Sequence, residues 1–527
     1  MKLFGLKALG RAALVAGCMT ALPAWAETTV TAVMQAPLKS LDPLLSTAQI
    51  VRTHGFMVFE TLLGMDADYK PQPQMADYTV SDDKLTYTFT LRDGLTWHDG
   101  TPVTAEDCVA SLTRWAQKDG SAKVMMTHVE SITATSDKVL VIKLSSPFGS
   151  LLELLAKPSP IPAFMMPKRL AETPAGEQIP EIIGSGPFKF VAEEYRPGDQ
   201  AVYVKNEAYV PRSEPSSWTA GAKVVNVDKV VWKTMPDMQT SINALQSGDV
   251  DMIEQVTIDL LPLLDMDDEV EYGVKNPLGS LVTARVNFKL PPFDDPQVRK
   301  AMMYALDQET LMQTAIGNPD YYQLCASIYG CNVPLASDAG SEYLTGDKEA
   351  RMEKAKELLA ASSYDGTPIV MLQPTDLTVL TTQPIVAAEA MREAGFNVDV
   401  QPMDWSTLLS RKNGDMAVAD GGWNMFFTYW GVAGIWNPLV NTLIDGTGSK
   451  TAYSGWPVSP EMEALRADYL AAGSLEDQKA AATKIQQLAY DEGFLFPAGE
   501  FKSVSAWRKD LKDVQTGPIT LFWGVSK

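Results

Sequence analysis

The sequence has 527 residues, of which 46% are hydrophobic and 21% charged, and its formal net charge at pH 7 is −21. This length and composition predict a globular protein with more than one lobe and exclude a disordered chain. The negative charge argues against nucleic-acid and anionic-membrane partners, because these carry charge of the same sign.

The first 26 residues have the pattern of a signal peptide. Three basic residues precede a short apolar run, and residues 24–26 (AWA) match a small-x-small cleavage site. Cleavage after Ala26 would take the net charge from −21 to −24, since it removes three positive charges. Lipid attachment at Cys18 is the alternative, but it would leave a very short apolar run. We therefore expect a periplasmic protein.

The first clear elements lie between residues 85 and 116. Residues 85–91 (LTYTFTL) alternate apolar and polar side chains, which predicts a half-buried strand, and a short second strand is expected at 95–98. Thr104 and Asp107 form a capping-box pattern at the start of a helix. Cys108 lies on the apolar face of that helix, which indicates a buried side chain and not a nucleophile.

Later segments indicate alternating helices and strands. Asp295-Pro296 predicts a helix start, and Asp307 predicts a cap for the next helix. Residues 368–402 contain a strand, a helix over 385–394 and a second strand, a pattern typical of two parallel strands joined by a right-handed crossover. Two more amphipathic helices are expected at 460–472 and 476–492.

The pair Cys325 and Cys331 encloses the five residues ASIYG. In an exported chain this spacing favours a disulfide, although two unrelated buried thiols are the alternative.

Motifs for catalysis and metal binding are weak. The three histidines lie at no metal-ligand spacing, and Gly184-Ser185-Gly186 lacks the first glycine of a nucleophile elbow. Paired acids are common in a chain with 65 acidic residues, so they do not indicate a catalytic dyad. We predict no catalytic residue, no metal site and no cofactor.

A resemblance to a known family rests on several segments. Residues 88–115 (TFTLRDGLTWHDGTPVTAEDCVASLTRW) closely resemble the signature of the bacterial extracellular solute-binding proteins, family 5. These are the peptide, nickel and opine receptors of ABC importers. Further matching segments follow in family order: IGSGPFKFV (183–191), RPGDQAVYVKNEAY (196–209), ALQSGDVDMI (244–253), PPFDDPQVRKAMMYALD (291–307), AKELL (355–359) and FLFPAGEFKSVSAWRKDLKDV (494–514).

The resemblance implies an α/β fold of two lobes, similar to type II periplasmic binding proteins, with a ligand cleft between the lobes and an extra N-terminal α+β subdomain. Lobe I would be discontinuous, and the chain would cross between the lobes near 279 and 497. The implied divisions are 1–26 for the signal peptide, 27–62, 184–278 and 498–527 for lobe I, 63–183 for the extra subdomain, and 279–497 for lobe II.

The aromatic segment GGWNMFFTYWGVAGIWNP (421–438) matches the family's cleft strand at Gly421-Gly422-Trp423. Aromatic faces suit ligand enclosure, because they bury a large area and lose little rotamer entropy. The expected ligand contacts are Trp423, Asn424, Tyr429 and Trp430. Phe427 and Trp436 are instead expected in the core.

The segment departs from the family at Phe426. Peptide-binding members often carry an aspartate there, which pairs with the α-ammonium of the ligand. We therefore expect a ligand that is neutral or anionic at that end, or whose nitrogen is blocked or delocalised. The nearest acid is Asp420, beyond the glycines.

The resulting hypothesis is a monomeric periplasmic receptor that delivers a peptide or peptide-like solute to an ABC permease and ATPase complex. An opine or an oligosaccharide is an alternative ligand. Two other classes of protein are also considered: an exported peptidase or esterase using the same cleft, and a periplasmic chaperone or sensory partner.

Overall fold

The computed structural model describes residues 27–450, 452–472 and 474–527. The predicted signal peptide at 1–26 and the alternative lipidation site at Cys18 lie outside the described residues.

A seven-stranded mixed sheet forms the first lobe. Its central strand, Thr29–Val33, runs parallel to both of its neighbours, and the pairings toward both ends of the sheet are antiparallel. In spatial order the strands are β10 (Phe188–Phe190), β11 (Gln200–Lys205), β12 (Lys229–Lys233), β1 (Thr29–Val33), β13 (Met252–Val256), β21 (Val504–Arg508) and β14 (Val270–Val274).

A six-stranded sheet forms the second lobe. The predicted parallel pair is present, with Ile369 opposite Val398 and Pro374 opposite Met403. In spatial order the strands are β16 (Tyr322–Gln323), β20 (Phe496–Phe501), β15 (Ser280–Val286), β19 (Met425–Gly431), β17 (Ile369–Pro374) and β18 (Val398–Met403).

The chain between β1 and β10 of the first lobe contains a separate four-stranded antiparallel sheet. The predicted strand at 85–91 is its central strand β6, and Tyr87, Phe89 and Leu91 are buried. The order is β5 (Ala76–Val80), β6 (Thr86–Leu91), β8 (Val139–Leu144) and β7 (Val129–Ala134); two small sheets pair β2 (Glu60–Thr61) with β9 (Phe164–Met165) and β3 (Leu63–Met65) with β4 (Pro71–Pro73).

The helices begin where the capping residues indicate. Thr104 and Asp107 form the capping box of the second helix, and Asp295 and Asp307 cap the two helices that follow β15. The α-helices are α1 (Gln49–Val58), α2 (Ala105–Ala116), α3 (Gly120–His128), α4 (Leu151–Ala156), α5 (Lys168–Ala171), α6 (Met238–Ser247), α7 (Leu261–Leu264), α8 (Pro296–Ala305), α9 (Gln308–Ile316), α10 (Lys348–Ala360), α11 (Thr378–Thr381), α12 (Gln383–Glu393), α13 (Trp405–Lys412), α14 (Pro460–Ala471) and α15 (Leu475–Glu492).

Two short segments connect the sheets of the two lobes. The chain leaves β14 at Val274 and enters β15 at Ser280, and it returns between Phe501 of β20 and Val504 of β21. Phe501, the last residue of β20, pairs with Ser280 in the sheet of the second lobe. The chain therefore returns to the first sheet after Phe501, whereas the crossing was expected near 497. These segments, 275–279 and 502–503, are called the hinge segments below.

The lobes are closed on one another. Trp436 of the second lobe contacts Tyr69 of the extra subdomain, with ring centroids 5.5 Å apart. Lys39 Nζ donates to Ser406 Oγ at 2.6 Å, which joins the first lobe to α13. Among the described residues, no helix has both the length and the apolar character needed to cross a bilayer.

Candidate functional site

The direction of β19 determines which of its residues face the other lobe. β15 starts at the hinge, where Ser280 pairs with Gly431, and it ends where Val286 pairs with Met425. The Gly431 end of β19 therefore lies at the junction of the lobes. Met425 is six residues away along the strand, or roughly 20 Å.

The structure places Trp423 and Asn424 at the far end of β19, inside the second lobe. The Trp423 side chain is fully buried, and its ring lies 4.9 Å from that of Phe426 and 6.0 Å from that of Trp456. Asn424 Oδ1 accepts from Val370 N at 2.9 Å, and Asn424 Nδ2 donates to the Pro291 carbonyl at 2.9 Å. Both side chains thus contact the interior of their own lobe, which differs from their expected contact with a ligand.

Phe426, where the sequence departs from the family, is also buried inside the second lobe. Its ring is fully buried beside Trp423, so it does not border the junction of the lobes. Asp420 is exposed at the surface of the second lobe.

Tyr429, by contrast, lies at the junction. Its half-buried ring contacts Phe501 edge-on, with centroids 5.3 Å apart. Burial, followed by the negative charge of Glu254 in the first lobe, raises the pKa of Tyr429 to about 12. The positive charge of Arg52 opposes this shift, so Tyr429 lies within electrostatic reach of two charged groups of the opposite lobe.

Glu254 and Arg52 form the polar part of the first lobe at this junction. Glu254 accepts hydrogen bonds from Gln35 N (2.9 Å), Gln49 Nε2 (3.1 Å) and Thr520 Oγ1 (2.6 Å). Burial nevertheless raises the pKa of Glu254. Arg52 is buried, its Nε has no hydrogen-bond partner, and burial lowers its pKa to about 10.

Trp430 and Glu500 project from one face of the second sheet. Leu281 pairs with Trp430 on one side and with Glu500 on the other, so the three side chains share a face. Glu500 is 1% exposed and accepts from Gln323 Nε2 at 2.7 Å and from Cys331 N at 3.0 Å. Burial raises the pKa of Glu500.

Three aromatic rings connect the extra subdomain with both lobes. Tyr69 of the extra subdomain lies 5.2 Å from Trp218 of the first lobe and 5.5 Å from Trp436 of the second. The Tyr69 hydroxyl is buried without a partner, and burial together with the charge of Glu500 raises its pKa to about 12. Trp436, expected in the core, is half-buried at this junction.

Four residues of the candidate site were not expected from the sequence: Tyr69, Arg52, Glu254 and Glu500. Two of them had a recognisable signal, because Glu254 (MIEQV) and Glu500 (FPAGEF) are charged residues within otherwise apolar strands. A charged side chain in a buried strand is uncommon unless it has a partner or a function. Tyr69 and Arg52 carry no comparable signal.

The cysteine pair lies next to the site. Cys325 and Cys331 are joined by a disulfide in the structure, with Cα atoms 5.7 Å apart. With Glu500 they form the one group of three potential metal ligands among the described residues. The disulfide leaves neither sulfur as a thiolate, so this group does not fit a metal ion.

The chain resembles known proteins over most of its length. The model of the family described as bacterial extracellular solute-binding proteins, family 5 middle, matches residues 70–451. The chain is 38% identical to a probable peptide ABC transporter periplasmic-binding protein, y4tO, of Sinorhizobium fredii, and the alignment covers 98% of each chain. It is 26% identical to the periplasmic oligopeptide-binding protein OppA of Escherichia coli, over 84% of this chain and 81% of OppA.

Solved structures share the fold at low sequence identity. The binding protein AgaA of A. tumefaciens R10, in complex with agropinic acid, has a TM-score of 0.79 at 22% identity and covers 94% of this chain and 98% of its own. A dipeptide-binding protein of Pseudoalteromonas sp. SM9913, in complex with Met-Leu, has a TM-score of 0.77 at 18% identity, covering 95% of this chain and 100% of its own. The two-lobed fold of periplasmic binding proteins is therefore shared over nearly the whole chain.

Proposed function

Because the chain belongs to the bacterial extracellular solute-binding proteins, family 5, we propose that it captures a peptide or peptide-like solute between its lobes and presents it to an ABC importer. The family consists of binding proteins of ABC transporters and not of enzymes. Its members act in the periplasm or outside the cell, with a permease and an ATPase as partners. We propose that this chain acts there as a monomer, released by cleavage after Ala26.

One observation carries the proposal: buried polar groups of both lobes converge where the two hinge segments join them. Glu254 and Arg52 come from the first lobe and Tyr429 from the second. Glu500 lies on the opposite face of the second sheet from Tyr429, beside the first hinge segment. Groups of this kind suit a polar solute that is enclosed as the lobes close, because each one needs a partner once water is excluded.

We propose that Tyr429, Trp430, Trp436 and Tyr69 provide the aromatic walls of the site. Trp423 and Asn424 would act indirectly, since they pack the far end of β19. A peptide is the preferred class of ligand because the relative that shares 38% identity over 98% of the chain is described as a probable peptide-binding protein.

The test uses the mature protein isolated from the periplasm. Small molecules released by denaturation are identified by mass spectrometry, and binding of the strongest candidate is measured by calorimetry. We expect a peptide or a peptide-like molecule. Tyr429→Ala should weaken its binding at least tenfold, because this ring lies between the lobes.

The matched control is Tyr78→Ala, which removes a half-buried tyrosine from β5 of the extra subdomain, where its ring packs against Phe89. This variant should bind like the wild type. The proposal fails if the released molecules contain no peptide-like compound and no peptide binds, or if Tyr429→Ala binds as tightly as the control.

A further inference from the structure

Glu500 differs from most other buried acids of the chain in having no cation beside it. Asp42 pairs with Arg114 at 2.8 Å, and Asp251 pairs with Lys527 at 2.7 Å. Asp119 pairs with Lys157 at 2.5 Å. In the part of the chain that the structure describes, Glu500 forms no salt bridge. The charge of Lys502 still acts on the carboxylate, but from a distance greater than that of a salt bridge.

The two hydrogen bonds to Glu500 come from neutral donors, Gln323 Nε2 and Cys331 N. They orient the carboxylate but carry no positive charge. A buried ionised carboxylate is costly unless a cation is close to it. The sheet therefore presents a fixed acceptor whose charge is not balanced within the protein.

Glu500 lies beside the junction of the lobes. Gly279 of the first hinge segment is so close that a Cβ atom there would lie 3.5 Å from Glu500 Oε1. Tyr69, whose buried hydroxyl has no partner, lies within range of the Glu500 charge and contacts the ring of Trp436. Aromatic faces beside a carboxylate attract ammonium groups.

We propose that Glu500 binds the terminal ammonium group of the ligand, with Tyr69 and Trp436 as the aromatic neighbours of that group. The proposal rests on the function proposed above, since it assumes a peptide ligand. It also replaces the expectation drawn from Phe426, because the carboxylate that receives the ammonium lies on β20 and not on β19. The disulfide loop takes part by holding Cys331 N against the carboxylate.

The test compares two libraries of random tripeptides that lack Lys, Arg and His. One has free amino termini, and in the other every terminus is acetylated, so that the two differ only at the amino terminus, where acetylation removes the positive charge and adds an acetyl group. Wild-type protein, stripped of its ligand and refolded, is incubated with each library, desalted and denatured, and the retained peptides are quantified by mass spectrometry. We expect at least tenfold more peptide to be retained from the free-amine library.

Glu500→Gln keeps the size and an acceptor oxygen but removes the charge. It should lose at least tenfold of the free-amine retention, whereas Glu389→Gln, at an exposed helix position, should retain peptide like the wild type. Circular dichroism and the melting temperature show whether each variant is folded, and the comparison of the two libraries on the wild type does not depend on any variant.

The outcomes separate the two proposals. If the wild type retains acetylated and free-amine peptides equally, or folded Glu500→Gln retains free-amine peptides at the wild-type level, the role of Glu500 is refuted and the peptide receptor stands. If the wild type retains neither library, the peptide ligand is refuted, and the inference with it.

Discussion

Lys412 is a buried cation in the interior of the second lobe. It is 4% exposed, and its Nζ donates to Asn413 Oδ1 at 3.0 Å and Ser454 Oγ at 3.3 Å. Its Nζ also lies 4.3 Å from the centroid of the Tyr453 ring. Burial, and then the nearby charge of Arg285, lowers the pKa of Lys412 to about 7. The charged form is therefore disfavoured in the folded protein.

This pKa predicts how stability depends on pH. Between pH 7 and the unfolded pKa of 10.5, the unfolded chain holds a proton that the folded chain lacks, so stability should rise with pH in this window. Lys412→Met should reduce this rise of stability with pH. Relative to the wild type, the variant should gain most free energy of unfolding below pH 7. The gain is up to a few kcal/mol, since each pKa unit corresponds to ~1.4 kcal/mol. Melting temperatures measured from pH 6 to 9 test the prediction.

The control is Lys479→Met, which removes an exposed lysine of α15 and should leave the slope of stability against pH unchanged. Equal slopes for Lys412→Met and the wild type would show that Lys412 stays charged in the folded protein.

Trp423 contributes to the core of the second lobe. Because its side chain is fully buried among Phe426 and Trp456, Trp423→Ala should lower the free energy of unfolding by about 3–5 kcal/mol. Protein that remains folded should bind ligand nearly as well as the wild type, since Trp423 lies at the far end of β19. Chemical denaturation and calorimetric titration measure the two effects. A large loss of affinity at unchanged stability would instead place Trp423 in the site.

The sequence could identify an aromatic segment but not which of its residues face the ligand. The position of Trp423 depends on the pairing of β19 with β15, a contact between residues more than 130 positions apart along the chain. Glu500 and Tyr69 meet for the same reason, through the closure of the whole molecule and not through a local pattern. Local patterns indicate burial, whereas the site depends on long-range contacts.

At the scale of elements, local signals predicted most of the structure. The caps at Thr104, Asp295 and Asp307 lie where expected, because a side chain that accepts from the first helical N–H groups is a local interaction. The short strand expected at 95–98 is reduced to one bridge between Thr96 and Pro102. A strand forms only where a neighbouring segment pairs with it over several residues. After the turn at Asp99-Gly100, the chain pairs with residues 95–98 at one position only.

The loop between Cys325 and Cys331 is the element most directly tied to the site, because Cys331 N donates to Glu500. We predict that protein from the periplasm contains this disulfide. Peptide mapping under non-reducing conditions should detect the cross-linked peptide. Two free thiols at these positions would overturn the prediction.

Replacing both cysteines by serine should have a small effect on stability, since closing so short a loop contributes about 2 kcal/mol or less in the chain-entropy model. Ligand affinity should fall more clearly, because the N–H group that orients the Glu500 carboxylate loses its restraint. Cys108→Ser is the control for thiol removal: it affects a buried position of α2, away from the junction.

At the scale of the whole molecule, the lobes have their own sheets and are joined by the two hinge segments. The contacts that bridge them include the exposed hydrogen bond from Lys39 Nζ to Ser406 Oγ and the buried one from Ser121 Oγ to the Leu439 carbonyl at 2.5 Å. The exposed Lys39–Ser406 contact contributes little free energy. Buried apolar side chains of the extra subdomain and of the second lobe also form one continuous cluster, which joins these two parts. We expect an enclosed ligand to stabilise the closed arrangement further, because it would contact both lobes.

We predict that the lobes open without ligand and close on it by rotation at the hinge segments, while each sheet keeps its structure. Small-angle X-ray scattering should show a smaller radius of gyration with saturating ligand than without it. A closed reference is Lys39→Cys with Ser406→Cys, joined by a short bismaleimide cross-linker at the contact between the first lobe and α13. Without ligand, the cross-linked protein should scatter like the liganded wild type, and the same variant without the linker should scatter like the free wild type.

If saturating ligand leaves the wild-type profile unchanged and different from that of the cross-linked reference, closure is not coupled to binding. The site would then have to bind its ligand on an open surface.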